Sequence, residues 1–239
     1  MNPLTIHAIQ TRIFHARENL LAFLVDSIPH ERVHNGMLLA ITSKILSLSE
    51  NRLVGVEMTD KDSLVRKEAD IYLGQIAYGH ALTIKDGHLI ASAGIDESNS
   101  ESGAYILYPK DTFLSAKLLW QGLRERWQIT ELAIVVTDSH TTPLRRGVTG
   151  FCLGYWGFRG LKNLIGTKDL FGRELKVTQM NLADGLAAAA VLVMGEGNEC
   201  CPVAIIDNAR VDFTHEVDPT ETSIPLEHDL FYPILEPLL

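Results

Sequence analysis

The chain has 239 residues, of which 46% are hydrophobic, and a formal net charge of −9 at pH 7. This length and composition predict a globular protein with a sizeable core, and the negative charge argues against nucleic-acid binding, which needs a broad basic face. The apolar runs are too short to span a membrane, and the N-terminal residues do not resemble a signal peptide. Three cysteines, two of them adjacent, form neither a disulfide framework nor zinc-ligand spacing. We therefore expect a cytoplasmic protein with reduced thiols and with no nucleic-acid or membrane partner.

The first half of the chain is predicted to mix helices and strands. Residues 19–28 form an apolar-periodic stretch, and residues 37–42 form a buried strand. Residues 62–77 are predicted to form a helix. The next segment, ALTIKDGHLIASAG, predicts a β-hairpin, because Asp86-Gly87 supplies the positive φ angles that a tight turn needs.

The second half continues this mixture. Asp111 can cap a helix that runs to Trp127, in which four leucines recur at helical spacing: Leu114, Leu118, Leu119 and Leu123. The remaining predictions are a core strand that ends at Thr137, strands at 176–179 and 202–206, a helix at 184–194 that ends at Gly195, and an irregular tail from residue 214. This order predicts an α+β fold, mixed sheets with flanking helices, rather than a regular βαβ winding. We expect residues 1–239 to form one domain, either undivided or made of two subdomains.

A basic, glycine-rich segment spans residues 145–176. Seven basic residues oppose only Asp169 and Glu174 there, which leaves a local charge of +5: Arg145, Arg146, Arg159, Lys162, Lys168, Arg173 and Lys176. Glycine lets the backbone approach a ligand closely and expose its N–H groups, so the segment is suited to a phosphate or a polycarboxylate. Ordinary turns with solvated charges are the alternative. Arg145 and Arg146 are candidate catalytic residues, because a planar guanidinium can clamp a carboxylate or phosphate.

Three acidic segments are candidates for a metal site. GIDESN places Asp96 and Asn99 after a hairpin strand, VVTDSH places Asp138 and Ser139 at the end of a core strand, and MGEGNE places Glu196 between two glycines. Each acid alone fits a turn or a helix cap. Mg²⁺, however, binds one or two carboxylates together with substrate phosphates and water. The three acids and the basic segment together therefore favour metal-assisted phosphate chemistry. Neither a P-loop nor a dinucleotide fingerprint is present in the sequence.

These motifs resemble those of the coenzyme F420-0:L-glutamate ligases, the γ-glutamyl ligases that extend a deazaflavin cofactor. The resemblance rests on GIDESN, TDSH, RRGVTGFCLGYWG, IGTKDLFGREL, ADGLAAAA and LVMGEG in the family's order, and more weakly on SKILSLSENR. It implies GTP-dependent amide formation with two divalent cations, Mg²⁺ or Mn²⁺, and often a monovalent one such as K⁺. GTP would phosphorylate the acceptor's carboxylate, and the amine of L-glutamate would attack the acyl phosphate. The resemblance also implies a γ-glutamyl ligase-like fold and an intertwined homodimer.

The resemblance also implies ligands for these groups. It places Asp96 and Asp138 on one metal ion and Ser139 and Glu196 on the second. The residues that it places near the nucleotide are Ser43, Lys44, Asn99, Met194, Gly195, Gly197 and Asn198.

Two departures from the family pattern affect the nucleotide edge. Leu48 stands where the family usually has a lysine, and Thr11–Phe14 replace a loop that usually resembles GLPLI. Arg12 is a candidate to restore the lost charge. Because the metal-site residues are kept while this edge differs, a folate glutamate ligase is an alternative to a deazaflavin ligase. A non-catalytic metal- and nucleotide-binding homologue and a metal-dependent phosphohydrolase are further alternatives.

Overall fold

The computed structural model describes residues 2–100 and 103–239. The strands are β1 (Thr5–Ile9), β2 (Met37–Thr42), β3 (Leu53–Val54), β4 (Ile71–Gln75), β5 (Ala81–Lys85), β6 (His88–Ala91), β7 (Tyr105–Ile106), β8 (Leu132–His140), β9 (Thr149–Trp156), β10 (Leu161–Asn163), β11 (Gln179–Asn181) and β12 (Val203–Asp207). The α-helices are α1 (Leu20–Ser27), α2 (Ser43–Ser49), α3 (Lys61–Glu68), α4 (Thr112–Trp127), α5 (Leu182–Met194) and α6 (Tyr232–Leu235). The predicted α+β class with mixed sheets is confirmed.

A five-stranded mixed sheet forms the centre of the structure, with the strand order β1-β12-β2-β8-β9. Strands β2 and β8 run parallel, and the other neighbouring pairs are antiparallel. Five of the six residues of β2 are buried, as expected for a strand that is covered on both faces.

Alternate residues of these strands enter two hydrophobic cores, because successive side chains of a strand point to opposite faces. Leu39 and Ile134 belong to the core that includes residues of α1, α2 and α4. Leu38 and Val135 belong to the core on the other face, where the alanine-rich helix α5 packs. Small residues such as Ala187 allow α5 to approach the sheet closely.

A three-stranded sheet, β4-β5-β6, packs with α3 around a third core. The β5–β6 hairpin is confirmed, with Asp86 at φ 50° and Gly87 at φ 76°. Ile90 of β6 meets Tyr108 and two residues of β9, Phe151 and Leu153, in a small cluster. This cluster joins the smaller sheet to the central one.

The predicted helix at 62–77 is wrong beyond Glu68. The chain becomes extended at Ala69, and β4 pairs with β5 instead. Gly74 has a φ of 123°, which an L side chain rarely adopts, and it lies at a register shift between β4 and β5. Pairing with the hairpin therefore outweighs the helical pattern of the sequence.

Several predicted boundaries also shift. Helix α4 begins after Asp111 and ends at Trp127 as predicted, but Leu114 and Leu118 are exposed, and only Leu119 and Leu123 of the four leucines are buried. Strand β8 continues past Thr137 to residue 140, because its last residues pair with the start of β9. The strand predicted at 176–179 lies instead at 179–181, where it pairs with β10.

The other predicted elements are confirmed. Helix α5 ends at Met194, with Gly195 at φ 84°, and β12 covers most of the strand predicted at 202–206. The tail from residue 214 has only short helical turns, and Glu221 holds it by accepting hydrogen bonds of 2.8 Å from the Tyr155 hydroxyl and the Gly160 amide. In the part of the chain that the structure describes, no helix has the length and apolarity needed to cross a membrane.

Candidate active site

A cavity of about 530 Å³ opens at one edge of the central sheet. The carboxyl ends of the parallel strands β2 and β8 lie at this edge, which is where α/β sheets commonly bind ligands. The antiparallel partners bring the end of β1 and the start of β12 to the same edge. Backbone hydrogen bonds join these segments, from Thr11 N to Cys200 O at 2.9 Å and from Thr42 N to Pro202 O at 3.0 Å.

Five separate segments line the cavity, within residues 11–14, 42–48, 96–100, 137–139 and 191–202. The structure brings ten of the predicted site residues together in this lining: Lys44, Asp96, Asn99, Asp138, Ser139, Met194, Gly195, Glu196, Gly197 and Asn198.

Three predicted residues are placed elsewhere. Ser43 is buried at the start of α2 and is not among the lining residues. Arg145 and Arg146 are exposed on the loop between β8 and β9, also outside the lining. The catalytic role of the two arginines stays a prediction.

One corner of the cavity, the Lys44–Asp96 corner, is electrostatically compensated. Lys44 Nζ lies 2.6 Å from Asp96 Oδ2 and donates to the Ser98 hydroxyl at 3.1 Å. Ser98 in turn donates to Asp96 through its amide at 2.7 Å and its hydroxyl at 2.9 Å. Burial acts to raise the pKa of Asp96, but the hydrogen bonds from Lys44 and Ser98 outweigh burial and lower the pKa. Asp96 is therefore held as a carboxylate by the protein itself.

In a neighbouring corner, the Asp138–Tyr108 corner, the carboxylate has no ion pair of this kind among the described residues. Burial raises the pKa of Asp138 to about 6, and the negative charge of Asp96 adds to this effect. The Tyr108 hydroxyl, the Ser139 amide and the positive charge of Lys44 act in the other direction. Among the described residues, the Tyr108 hydroxyl has no partner within hydrogen-bond distance. Tyr108 packs so closely on Gly94 that a Cβ atom at that position would collide with its ring. This corner thus holds a partly buried carboxylate that forms no ion pair with the described residues.

Ser139 and Glu196 form a third polar contact. The Ser139 hydroxyl donates to Glu196 Oε2 at 2.9 Å, which joins strand β8 to the segment after α5. As predicted, Glu196 comes directly after the end of α5, next to its capping residue Gly195. Two residues assigned to one ion by resemblance are therefore in contact.

The donor chemistry of the cavity fits a hard divalent cation. Among the described residues, no three Asp, Glu, His or Cys side chains lie close enough together to enclose an ion. Mg²⁺, however, is usually held by one or two carboxylates and completed by substrate phosphates and water. The carboxylate of Asp138 and the Ser139–Glu196 pair supply oxygen ligands of this kind in one cavity.

Part of the cavity wall is apolar. Four side chains form this apolar wall: Ile13, Phe14, Ile45 and Leu48. Arg12 also lines the cavity, but its guanidinium pairs with Glu18 and stacks over the Phe23 ring at 4.9 Å. The hydrogen bond from Arg12 is the main reason that the pKa of Glu18 falls to about 2. The charge of Arg12 is therefore already matched within the protein.

Three residues that act on the site were not predicted from the sequence: Ser98 in the cavity lining, and Tyr108 and Glu18, which interact with lining residues. Ser98 lies inside the GIDESN motif, so that motif offered a signal for it. Tyr108 and Asp138 are separated by thirty positions, and no local pattern predicts their proximity. The Arg12–Glu18 pair depends on the bend between β1 and α1.

The basic, glycine-rich segment divides between two structural roles. Its first part forms β9, most of which is buried in the central sheet. Its second part forms the β10–β11 hairpin, where Arg173 pairs with Asp169 at 3.1 Å. None of the seven basic side chains is among the lining residues of the cavity. Anion binding by this segment stays a prediction.

The chain matches the family model described as F420-0:Gamma-glutamyl ligase over residues 8–208. It belongs to this family. The chain is 31% identical to the coenzyme F420:L-glutamate ligase of Archaeoglobus fulgidus over 207 residues, which cover 80% of this chain and 82% of the relative. It is 33% identical to that of Methanothermobacter thermautotrophicus over 210 residues, or 78% and 81% of the two chains. Over 131 residues it is 43% identical to that of Methanococcus maripaludis, and there it spans about half of the relative, 52%, and 55% of itself.

Proposed function

We propose that this protein is a nucleotide- and divalent-metal-dependent ligase that joins L-glutamate to a carboxylate of a deazaflavin cofactor of the coenzyme F420-0 type. The observation that carries the proposal is the gathering of Lys44, Asp96, Asp138, Ser139 and Glu196 around one cavity of a size suited to small substrates. Membership of the γ-glutamyl ligase family supports the same activity.

The reaction consists of a phosphoryl transfer followed by amide formation. An oxygen of the acceptor carboxylate attacks the γ-phosphorus of GTP, and the bond to GDP breaks. The amine nitrogen of L-glutamate then attacks the acyl carbon, phosphate leaves, and the amine loses a proton as the amide forms. Both steps concentrate negative charge on phosphate oxygens, so they need cationic and hydrogen-bonding groups placed in advance.

The residues that line the cavity can meet these needs. Asp138, Ser139, Glu196 and Asp96 would hold Mg²⁺ or Mn²⁺, which supplies charge neutralisation at the phosphates when bound. Lys44, fixed by Asp96 and Ser98, presents a positive charge beside that position. The apolar wall, which includes Phe14 and Leu48, offers a surface for a flat ring and excludes water from the reacting groups.

A folate is the second candidate acceptor. Leu48 on the apolar wall, where the family usually has a lysine, favours a changed acceptor or nucleotide edge over a changed reaction. Deazaflavins and folates both combine a flat heterocycle with a carboxylate, so the same cavity chemistry serves either. The identity of the ring therefore has to be decided by assay.

The proposal is tested by measuring phosphate release with GTP, L-glutamate and acceptor in all combinations. We expect release only when all three are present, together with an acceptor product that is heavier by one glutamyl group. ATP in place of GTP, and dihydrofolate or tetrahydrofolate in place of the deazaflavin, form the comparison arms. Phosphate release without acceptor and glutamate would indicate a phosphohydrolase, and nucleotide binding without turnover would indicate a non-catalytic homologue.

We further propose that the protein forms a homodimer through the β10–β11 hairpin. This hairpin and its loop expose apolar side chains that a monomer would leave in water: Ile165, Leu170, Phe171, Val177 and Met180. Sedimentation of the wild type and of Phe171→Glu tests this. We expect a dimer that the substitution weakens, and a monomeric wild type would overturn the proposal.

A further inference from the structure

Two adjacent thiols form part of the cavity wall. Cys200 is exposed and Cys201 is partly buried, and both line the cavity beside the segment that carries Glu196. All three cysteines are free, and the third, Cys152, is buried in the core around α5.

The backbone at Cys200 is coupled to the facing segment of the cavity. Cys200 has a φ of 52°, in the left-handed region that non-glycine residues seldom adopt. Its carbonyl accepts the amide hydrogen of Thr11 at 2.9 Å. Thr11 begins the segment that leads to Ile13 and Phe14 of the apolar wall. A change of backbone conformation at Cys200 would therefore break a hydrogen bond that holds this wall in place.

A disulfide within the pair would be strained. Adjacent Cα atoms are about 3.8 Å apart across a trans peptide, whereas those of disulfides are usually about 4.4–6.8 Å apart. Strained and accessible disulfides are the ones that thiols reduce readily, so such a bond would be reversible. Closing the bond brings the two sulfur atoms to about 2.05 Å, so we expect the backbone of Cys200, now at a φ of 52°, to rotate.

We propose that Cys200 and Cys201 form a reversible thiol modification site, oxidised by peroxide to a disulfide that displaces the cavity segment from Thr11 to Phe14. The sulfur of Cys200 attacks one peroxide oxygen, the O–O bond breaks, and a sulfenic acid and water form. The sulfur of Cys201 then attacks the sulfenic sulfur, and a second water leaves. Two thiols and one hydrogen peroxide thus give one disulfide and two waters, with two electrons passing from sulfur to oxygen.

The surroundings assign the first attack to Cys200. Its side chain is exposed, while the Cys201 sulfur donates a hydrogen bond to the Glu199 carbonyl at 3.4 Å. Burial, with smaller contributions from Cys200 and Glu199, raises the pKa of the Cys201 thiol. Cys201 therefore acts as the resolving thiol.

The test treats the full chain with stoichiometric hydrogen peroxide and measures intact mass and amide hydrogen exchange. We expect a mass loss of about 2 Da in a single chain, reversed by dithiothreitol. We also expect exchange of the Thr11 amide to accelerate about tenfold in the oxidised protein, because its hydrogen bond is lost. Cys200→Ser should abolish both changes, and Cys152→Ala, the matched control, should retain both.

Three outcomes would overturn the inference. The first is a mass gain from added oxygen without the expected loss of about 2 Da. The second is a disulfide that forms between two chains, and the third is a disulfide within one chain that leaves hydrogen exchange of the Thr11 amide unchanged. The readouts do not require nucleotide binding, so they remain interpretable even if GTP turnover is absent and the proposed ligase activity fails.

Discussion

The Lys44–Asp96 corner and the Asp138–Tyr108 corner belong to the same cavity but have opposite electrostatic environments. Asp96 has a cation at 2.6 Å and two hydrogen bonds from Ser98, and its pKa is lowered. Asp138 is partly buried beside the Tyr108 hydroxyl, which has no hydrogen-bond partner among the described residues, and its pKa rises to about 6. Asp138, which has no ion pair among the described residues, is the more available carboxylate for a ligand cation, whereas Asp96 would give up part of its pairing with Lys44 to bind one.

Asp138→Asn should give the largest effect and should separate activity from stability. We expect loss of most of the proposed ligase activity, because the substitution removes the charge that a cation would meet. Without metal, we expect the variant to be more stable than the wild type at pH 7–8 by about 1–3 kcal/mol. The reason is that burial raises the pKa of Asp138 from 3.8 to about 6, so its ionisation in the folded state costs free energy.

The pH dependence of this difference follows from the sign of the shift. A raised pKa in the folded state favours folding below pH 3.8, and that contribution is lost as the pH rises through about 6. The stability gain of Asp138→Asn should therefore vanish towards pH 4. Urea unfolding of both proteins without metal between pH 4 and 8 measures it, and a pH-independent difference would contradict the assignment.

Glu196→Gln should reduce Mn²⁺ affinity by about tenfold, since a carboxylate in contact with Ser139 becomes an uncharged amide. Calorimetric titration with Mn²⁺ measures this. The matched control is Glu97→Gln, which removes a carboxylate that already pairs with Lys61 at 2.6 Å. Equal Mn²⁺ affinities in wild type and Glu196→Gln would exclude Glu196 as a ligand.

Lys44→Gln should make the electrostatic environments of Asp96 and Asp138 more alike. Without its cation, Asp96 loses its ion pair and its pKa should rise, and we expect folding stability to fall by about 1 kcal/mol, because both groups are partly exposed. Lys61→Gln removes the neighbouring pair with Glu97 and serves as the control. Thermal unfolding compares the two, and a larger loss in Lys61→Gln would show that Asp96 is not specially compensated.

Tyr108→Phe should give the smallest change in stability, within about 1 kcal/mol, because the hydroxyl that it removes has no hydrogen-bond partner among the described residues. The hydroxyl acts to lower the pKa of Asp138, so its removal should raise that pKa further. Carboxyl ¹³C NMR titration of Asp138 follows the shift. A fall in the pKa would show that Tyr108 does not favour the ionised carboxylate.

Local sequence patterns predicted those elements whose conformation is decided locally. The Asp86-Gly87 turn and the cap at Asp111 are examples, because each depends on neighbouring backbone angles or hydrogen bonds. Strand β4 could not be predicted in this way, because its pairing with β5 outweighs the helical pattern that precedes it.

The candidate site was predicted largely from family motifs, which include Asp96, Asp138 and Glu196. The structure places all three in the lining of one cavity. The electrostatic difference between the two corners was not predicted. It arises because Lys44 forms an ion pair with Asp96 across fifty-two positions, whereas Asp138 lies beside the uncharged Tyr108 and is influenced by Lys44 without pairing with it. Such long-range contacts leave no periodic signal in the sequence.

The pairing of β1 with β12, in which Thr5 lies opposite Asp207, has a consequence for biosynthesis. At the other end of this pairing, where Ile9 lies opposite Val203, the cavity edge is closed by a hydrogen bond between Thr11 and Cys200. A ribosome must therefore release the chain through about residue 207 before β1 gains its only sheet neighbour among the described strands. A nascent chain that already carries Asp96 and Asp138 would still lack the closed cavity, and contacts this distant in sequence slow folding.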